Sequence, residues 1–319
     1  MRNNRETAPQ AGCGGNVAIL LGAMNGRAFL SEQMDSIANQ DHPHWTVWAS
    51  DDGSTDGTLD MLQDYSHRWG RDRMVTVRGP SKGFAANFLS LACRAEIRAD
   101  YCAFSDQDDV WEADKLSRAL NWLRTVPSGV PALYCGRTRL IAKDGSNIGL
   151  SPLFARTPSF ANALVQSIAG GNTMVFNDAA RRLVRAAGPD VAIVSHDWWL
   201  YLLVSGCGGR VLYDPIPAVR YRQHEGNLVG SNIGGRARLA RLRAAFHGRF
   251  AEWNALHIAA LETMRAHFTP ESGMIFRRFA EARKRPMVSR CFGVLGSGVH
   301  RQTVAGNLGL ALASLIGKI

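Results

Sequence analysis

Residues 45–58 read WTVWASDDGSTDGT. Trp45 to Ser50 suits a buried strand, and the acid- and glycine-rich DDGSTDGT ends it. Leu59, Leu62 and Tyr65 then fall on one face of a helix. The same unit recurs on both sides. Upstream, the apolar run NVAILL at Asn16–Leu21 stops at Gly22, and Leu30, Met34 and Ile37 follow at helical spacing. Downstream, a strand at Met74–Val77 leads to a helix at Phe84–Ala95, and Tyr101–Phe104 is the next strand. Alternation of this kind predicts an α/β fold: a mostly parallel, Rossmann-like sheet with helices on both faces. In such sheets ligands bind where loops leave the carboxyl ends of the strands.

Beyond Trp111 the pattern loses its regularity. It predicts a helix over Lys115–Thr125 and a strand over Ala132–Ile141 that enters a turn at Asp144-Gly145. A short strand at Thr173–Phe176 precedes a helix ending at Ala187, and a buried helix covers Trp198–Val204. Strands at Val211–Tyr213 and Val219–Arg222 complete the series. No internal repeat is visible. The expected organisation is a disordered N-terminus (1–14), a first half that binds the ligand (15–115), a second, catalytic half (116–234) and a C-terminal helical extension (235–319).

The chain has 319 residues, 46% of them apolar and 20% charged, which excludes collagenous, low-complexity and disordered classes. Its six cysteines include no CxxC pair, so neither a zinc site nor a disulfide framework is expected, and a reducing compartment follows. Residues 1–15 lack the apolar core of a secretory signal. The net charge of +10 is unevenly placed: residues 236–319 hold 14 basic and 4 acidic residues, and residues 1–235 hold 23 of each. The excess therefore points the tail, not the body, at an anionic surface. In the tail Leu239, Leu242, Phe246, Phe250, Trp253, Leu256, Ala260, Met264 and Phe268 describe one amphipathic stripe, with Arg238, Arg241, Arg243 and Arg249 at its start. Gln302–Gly317 is uncharged but too short to span a bilayer, which takes about 20 residues. It either lies on a membrane or packs on the domain.

Four loops carry residues with chemistry. In Ser50–Thr58 a carboxylate at a strand end can accept from a nucleobase imide or a ribose hydroxyl; the plainer reading is a capping turn with solvated acids. In SDQDDVW, Ser105–Trp111, three carboxylates within four residues repel one another unless a cation lies between them. Magnesium or manganese suits such oxygens together with phosphate. In Ser195–Trp199 a carboxylate beside two indoles suits a general base, and indoles stack on sugars; the plainer reading is an N-cap with tryptophans in the core. In Tyr221–Asn227, Arg222 can hold a phosphate and His224 can ligate a metal, although a lone histidine is usually structural. A smaller glycine-rich turn, Gly79–Asn87, opens a helix and offers Lys82 to an anion. Neither the P-loop spacing nor the dinucleotide GxGxxG is present.

In this order the pieces resemble the family 2 glycosyltransferases, inverting enzymes of the GT-A fold. The matching runs are VAILLGAMNG, then Gln33, Ser36 and Gln40, WTVWASDDGSTDGT, GFAANF, FSDQDDVWEADKL, GGNTMVFN, HDWWLYLL and RYRQHEGN, which cover residues 16 to 230. FSDQDDVW, HDWW and RQHxxN are most similar to bacterial rhamnosyltransferase-like members acting on surface polysaccharides. The resemblance implies that Gly22, Met24 and Asn25 contact the nucleotide, with Met24 where the family has an aromatic, and that Asp52 reads the base or ribose. Lys82, Asn87, Asp106, Gln107 and Arg222 complete the expected nucleotide-sugar set. It further implies a divalent metal, manganese or magnesium, on Asp108, Asp106 and His224, with Asp197 as the catalytic base. His196, Trp198 and Trp199 are expected to meet the acceptor.

The implied reaction moves a sugar, rhamnose by the subgroup resemblance, from a dTDP- or UDP-sugar to a hydroxyl of a cell-surface glycan or lipid-linked acceptor. The place implied is the cytoplasm, peripheral on the inner membrane through the basic tail. Two alternatives stand beside it. A sugar-phosphate nucleotidyltransferase needs a basic glycine-rich loop after the first strand, where GAMNGR offers only Arg27. A non-enzymatic protein would use its tail on nucleic acid or membrane; with no nucleic-acid motif and a neutral body, no nucleic acid is expected.

Overall fold

The computed structural model describes residues 14–224 and 249–319. Three strand–helix units and a fourth strand come first: β1 (Val17–Ala23), α1 (Leu30–Ala38), β2 (Trp45–Asp51), α2 (Thr58–Trp69), β3 (Met74–Arg78), α3 (Phe84–Cys93) and β4 (Tyr101–Asp106). There follow β5 (Val110–Trp111), α4 (Lys115–Leu123), β6 (Ala132–Gly136), β7 (Arg139–Ile141), β8 (Asn147–Leu150), α5 (Phe160–Ala163), β9 (Val175–Asn177), α6 (Asp178–Ala187), α7 (His196–Gly206), β10 (Arg210–Asp214) and β11 (Val219–Arg222). After the undescribed residues come α8 (Arg249–Thr263), α9 (Pro270–Arg283), α10 (Met287–Gly296) and α11 (Val304–Leu315).

A seven-stranded sheet has the order β10-β6-β9-β4-β1-β2-β3. It is parallel except for β9, which runs antiparallel to both β4 and β6. Strands from either side of residue 115 thus share one sheet, the two expected halves lying side by side and joined where β9 pairs with β4. Each strand feeds both faces. Val17, Ile19 and Leu21 of β1 pack under α1, α2 and α4, while Ala18 and Leu20 pack with α3, α6, α7 and the C-terminal helices. The run Ala132–Ile141, expected as one strand, is two. β6 stays in the large sheet, and β7 crosses to a four-stranded sheet of order β5-β11-β7-β8. This second sheet was not legible in the sequence, because β5 has only two residues and β8 is mostly exposed.

The tail is only partly as expected. Residues 1–13 and 225–248, with the expected disordered start, the 234/235 boundary, Leu239, Leu242 and Phe246, lie outside the described residues. In α8 the buried face is Asn254, His257, Ala260 and Leu261, whereas Trp253 is exposed. Of the expected stripe, Ala260 and Met264 are buried and Phe250 and Phe268 pack on the core, while Trp253 turns outward. His257 accepts from the Val194 N–H (3.4 Å) and meets Trp198 edge-on at 4.6 Å, and these polar contacts turn the helix. The described part of this stripe packs on the domain. Among the described residues no helix is long and apolar enough to cross a membrane, and all five described cysteines are unpaired.

Candidate active site

The site forms where β1, β2 and β4 end side by side. Gly22 pairs with Ser50 on one flank and Asp106 on the other, and Ala23 pairs with Asp51. Gly22 leaves no room for a side chain, since a Cβ would lie 2.8 Å from the Phe88 ring. The chain beyond it is stapled to the DDGSTDGT turn bond by bond. Asn25, at φ +51°, donates its N–H to Ser54 Oγ (2.8 Å) and accepts the Thr55 N–H on Oδ1 (2.8 Å). The N–H groups of Gly26 and Arg27 reach Thr58 Oγ1 (2.8 Å) and Asp56 Oδ2 (3.0 Å). From the other side the Gln107 amide clasps the Met24 backbone with two bonds of 2.7 Å. The Met24 side chain is left half exposed.

Asp52 is buried and faces the next loop. Its Oδ1 accepts the Ser81 N–H (2.7 Å) and its Oδ2 the Gly83 N–H (2.8 Å), at the start of α3. Gly79 permits this approach, because a Cβ there would meet Asp52 and Asn87 oxygens within 2.7 Å. Asp51, beside it, accepts from the Gly53 and Ser54 N–H groups with one oxygen and leaves the other buried without a partner. Lys82 is exposed, 3.5 Å from Asp190.

The acid loop rests on a buried polar bed. Along α1, Gln33, Ser36 and Gln40 share a face and hold it at three points. Gln33 reaches Ser105 Oγ (2.8 Å), Ser36 Oγ accepts the Trp111 N–H (3.0 Å), and Gln40 bonds Glu112 O (2.8 Å) and the Leu116 N–H (3.1 Å). Asp109 is fully buried, accepting from Asn172 Nδ2 (2.5 Å) and the Arg222 N–H (3.2 Å). Burial, with Asp108 and Asp106 nearby, pushes its carboxyl well above the usual range. Lys115 is equally buried, its ammonium on Asn172 O (2.7 Å) and 3.2 Å from the centre of the Trp111 ring. Burial holds its pKa well below normal, against the opposing pull of Asp109 and Asp106.

Above this bed lie Asp106, the last residue of β4, and Asp108 just beyond it. Burial, then the charges of Asp108 and Asp197, push Asp106 up to about 7. Like charges nearby disfavour the ionised form, so Asp106 holds its proton more tightly than an exposed acid does. His224 Nε2 lies 2.7 Å from Asp108 Oδ2, and its ring packs 5.0 Å from Phe29. Asp197 is in the first turn of α7, where the helix dipole favours a carboxylate. Ser195 Oγ and the Trp198 N–H donate to its Oδ1. Among the described residues no three His, Cys, Asp or Glu side chains close into a ready-made metal cage. An open cavity of about 580 Å³ is lined by none of these acids; it lies on the small sheet around Glu112, Arg139 and Arg220.

Several expected contacts prove to be scaffold. Arg222 was expected on a phosphate. It is instead 1% exposed, bonding Asp108 O (3.0 Å), Lys143 O (2.8 Å) and Glu32 (2.7 Å), so it clamps the acid loop. Asn87 is buried against Ser50, and Gln107 is spent on Met24. Trp198 and Trp199 were expected at the acceptor, but both are in the core, Trp198 donating to Ala163 O (2.6 Å). His196 is also buried, stacked on Phe88 at 3.9 Å and edge-on to Phe104. All three follow from α7 lying against the sheet rather than along a cleft. Asp109 was counted among the loop's carboxylates and Asn172 lay in the run GGNTMVFN, but neither was given a role in the site. Lys115 was passed over, although a lysine at an inward position of an otherwise apolar helix face was a signal.

The chain matches the profile of Glycosyl transferase family 2 over residues 19–183. The dTDP-rhamnosyl transferase RfbG of Shigella flexneri is 28% identical over 230 residues, which cover 68% of this chain and 76% of that protein. The putative teichuronic acid biosynthesis glycosyltransferase TuaG of Bacillus subtilis is 30% identical over 161 residues, half of this chain and 62% of the relative. Among solved structures, S. aureus TarS 1-349 in complex with UDP-GlcNAc superposes with a TM-score of 0.54 at 13% identity, covering 95% of this chain and 89% of that one. The fold is GT-A, and by its sequence this chain, a transferase, belongs to glycosyl transferase family 2.

Proposed function

We propose that the protein is an inverting glycosyltransferase that moves rhamnose from a dTDP-sugar to a hydroxyl of a cell-surface glycan or lipid-linked acceptor. The observation carrying this reading is the placement of Asp106 where β4 ends beside β1, with Asp108 just beyond it and His224 Nε2 2.7 Å from Asp108 Oδ2. Two carboxylates on one loop with a histidine beside them suit manganese or magnesium, which needs few protein ligands when a diphosphate supplies the rest. Asp108, Asp106 and His224 would hold the ion, and bound there it would neutralise the departing diphosphate. Asp52, fixed by two backbone N–H groups, retains lone pairs for the base or ribose, with Met24 exposed beside it to cover the nucleotide. Lys82, exposed and paired at 3.5 Å with an equally exposed Asp190, can leave that surface pair for an anion. Asp197 takes the proton of the acceptor hydroxyl as that oxygen attacks the anomeric carbon opposite the diphosphate. A single displacement inverts the centre. The relative named for dTDP-rhamnose supports the donor; a bilayer-bound acceptor would place the work at the inner membrane.

Thermal stabilisation by nucleoside diphosphates tests the reading. dTDP with manganese should raise the melting point more than dTDP alone, the complex gaining about 2.7 kcal/mol over the ligand-free protein at a hundredfold excess over Kd. Asp108→Ala should abolish the manganese-dependent increment. Equal shifts with and without manganese would remove the ion from the mechanism, and a larger shift with UDP would reassign the donor.

A further inference from the structure

Helices α10 and α11 wear their apolar residues outward. On α11 Val304, Leu308 and Leu312, with Ile316 just beyond, follow one another at steps of four, and all are exposed, Val304 by 79% and Leu308 by 69%. On α10 Val288, Phe292 and Leu295 form a second stripe, Phe292 exposed by 74%. The inward faces are thin by contrast: Val294 on α10, Leu310 and Ser314 on α11. The helices run antiparallel, Cys291 Sγ approaching Ala311 O (3.7 Å) and Arg290 approaching Ser314 O (3.4 Å). On each helix the stripe lies the same way round from these contacts. In an antiparallel pair the two stripes therefore open on one side. Single exposed apolar residues are ordinary, whereas a contiguous patch marks an interaction surface.

Charge identifies the occupant. From residue 282 to the end the chain has six Lys or Arg and no Asp or Glu, and Lys284 and Arg285 are exposed beside the start of α10. A second copy seated by a two-fold axis would bring cations against their own images, which is unfavourable. An anionic bilayer meets both properties at once, taking apolar side chains into the acyl boundary and arginines at the headgroups. We infer that α10 and α11 form a surface on which the protein docks flat on an anionic membrane, through Val288, Phe292, Leu295, Val304, Leu308 and Leu312. The surface deepens the proposal of a lipid-linked acceptor but is read independently of it.

Flotation of the full chain with phosphatidylcholine vesicles containing about 30 mol% phosphatidylglycerol tests it. The parent should float, and Phe292→Asp with Leu308→Asp should lower bound protein by about tenfold or more. Lys284→Glu with Arg285→Glu should weaken flotation on these vesicles in a salt-dependent way. Both positions of the first variant are exposed, and stabilisation by dTDP and manganese, measured on each variant, reports an intact site separately from the membrane. Undiminished flotation of the aspartate variant overturns the proposal, as does failure of the parent to float. A lipid-free dimer of the parent that this variant makes monomeric assigns the face to a second copy instead and equally overturns it.

Discussion

The acid loop and its supports bury Asp109, Lys115, Asn172 and Arg222, whereas α10 and α11 expose Phe292, Val304 and Leu308. Each region breaks the usual partition of side chains, in opposite senses. Buried ionisable groups are costly unless paired, so their cluster beneath Asp106 and Asp108 exists to hold those carboxylates at a fixed place. Exposed apolar groups cost the fold little but leave it a surface to be covered. The difference teaches where to look for function: a strained polar interior marks chemistry, and an apolar exterior marks an interface.

The comparison can be broken most decisively at its reactive end. Asp197→Asn keeps the shape and the Ser195 contact but cannot take a proton. Transfer should fall by about a thousandfold, within the range for loss of a general base, while dTDP binding persists. A variant that transfers normally would leave Asp197 as nothing more than a helix-terminal acid.

Next in size is the polar bed itself. Lys115→Met conserves length and removes the ammonium that Asn172 O, Asp109 and Asp106 surround. Removing one partner of such a buried set should cost about 3 kcal/mol in urea unfolding. Restored stability in Lys115→Met with Asp109→Asn would locate the loss in the charge imbalance. Unchanged stability in the single variant would mean that the bed is held by packing and α1 alone.

How far these two regions were legible differs for a physical reason. The strand–helix alternation and the acids at strand ends are local patterns, so β1 to β4 and the loop of Asp106 and Asp108 could be picked out from order and spacing, whereas the roles expected of Asp197 and His224 came from the family resemblance. The roles of Arg222, Asn87 and Trp199 depend on what faces them across tens of residues. An arginine reads the same whether it binds a phosphate or clamps a loop, as Arg222 does with Asp108 O and Glu32. The stripe in α8 held at Ala260 and failed at Trp253, because Asn254 and His257, polar in composition, are the residues that turn inward there.

Acid should expose a smaller effect. Burial lowers His196 and His257 to about 4, while in an unfolded chain each would titrate near 6.5. The folded protein therefore binds fewer protons between those values. Stability is full above the unfolded pKa and is lost as pH falls from about 6.5 toward 4, by about 2 kcal/mol per histidine at pH 5. Urea midpoints at pH 7 and pH 5 measure this. His196→Leu, which removes two buried nitrogens that have no hydrogen-bond partner, should take away one histidine's share. A variant with the parent's full loss would show that His196 charges freely in the native state.

The smallest effect on folding should come from the exposed stripe, and its smallness is what gives it meaning. Phe276 on α9 is 1% exposed and belongs to the core, whereas Phe292 on α10 gains almost nothing from the fold. Phe292→Ser should therefore change unfolding free energy by no more than about 0.5 kcal/mol. A loss several times larger would show that α10 needs the phenylalanine for its own packing, and the outward stripe would then be structural. A near-zero change leaves a large apolar side chain with no role in the folded monomer. In a segment with no acid after Glu281, that remainder belongs to whatever the face meets outside the chain.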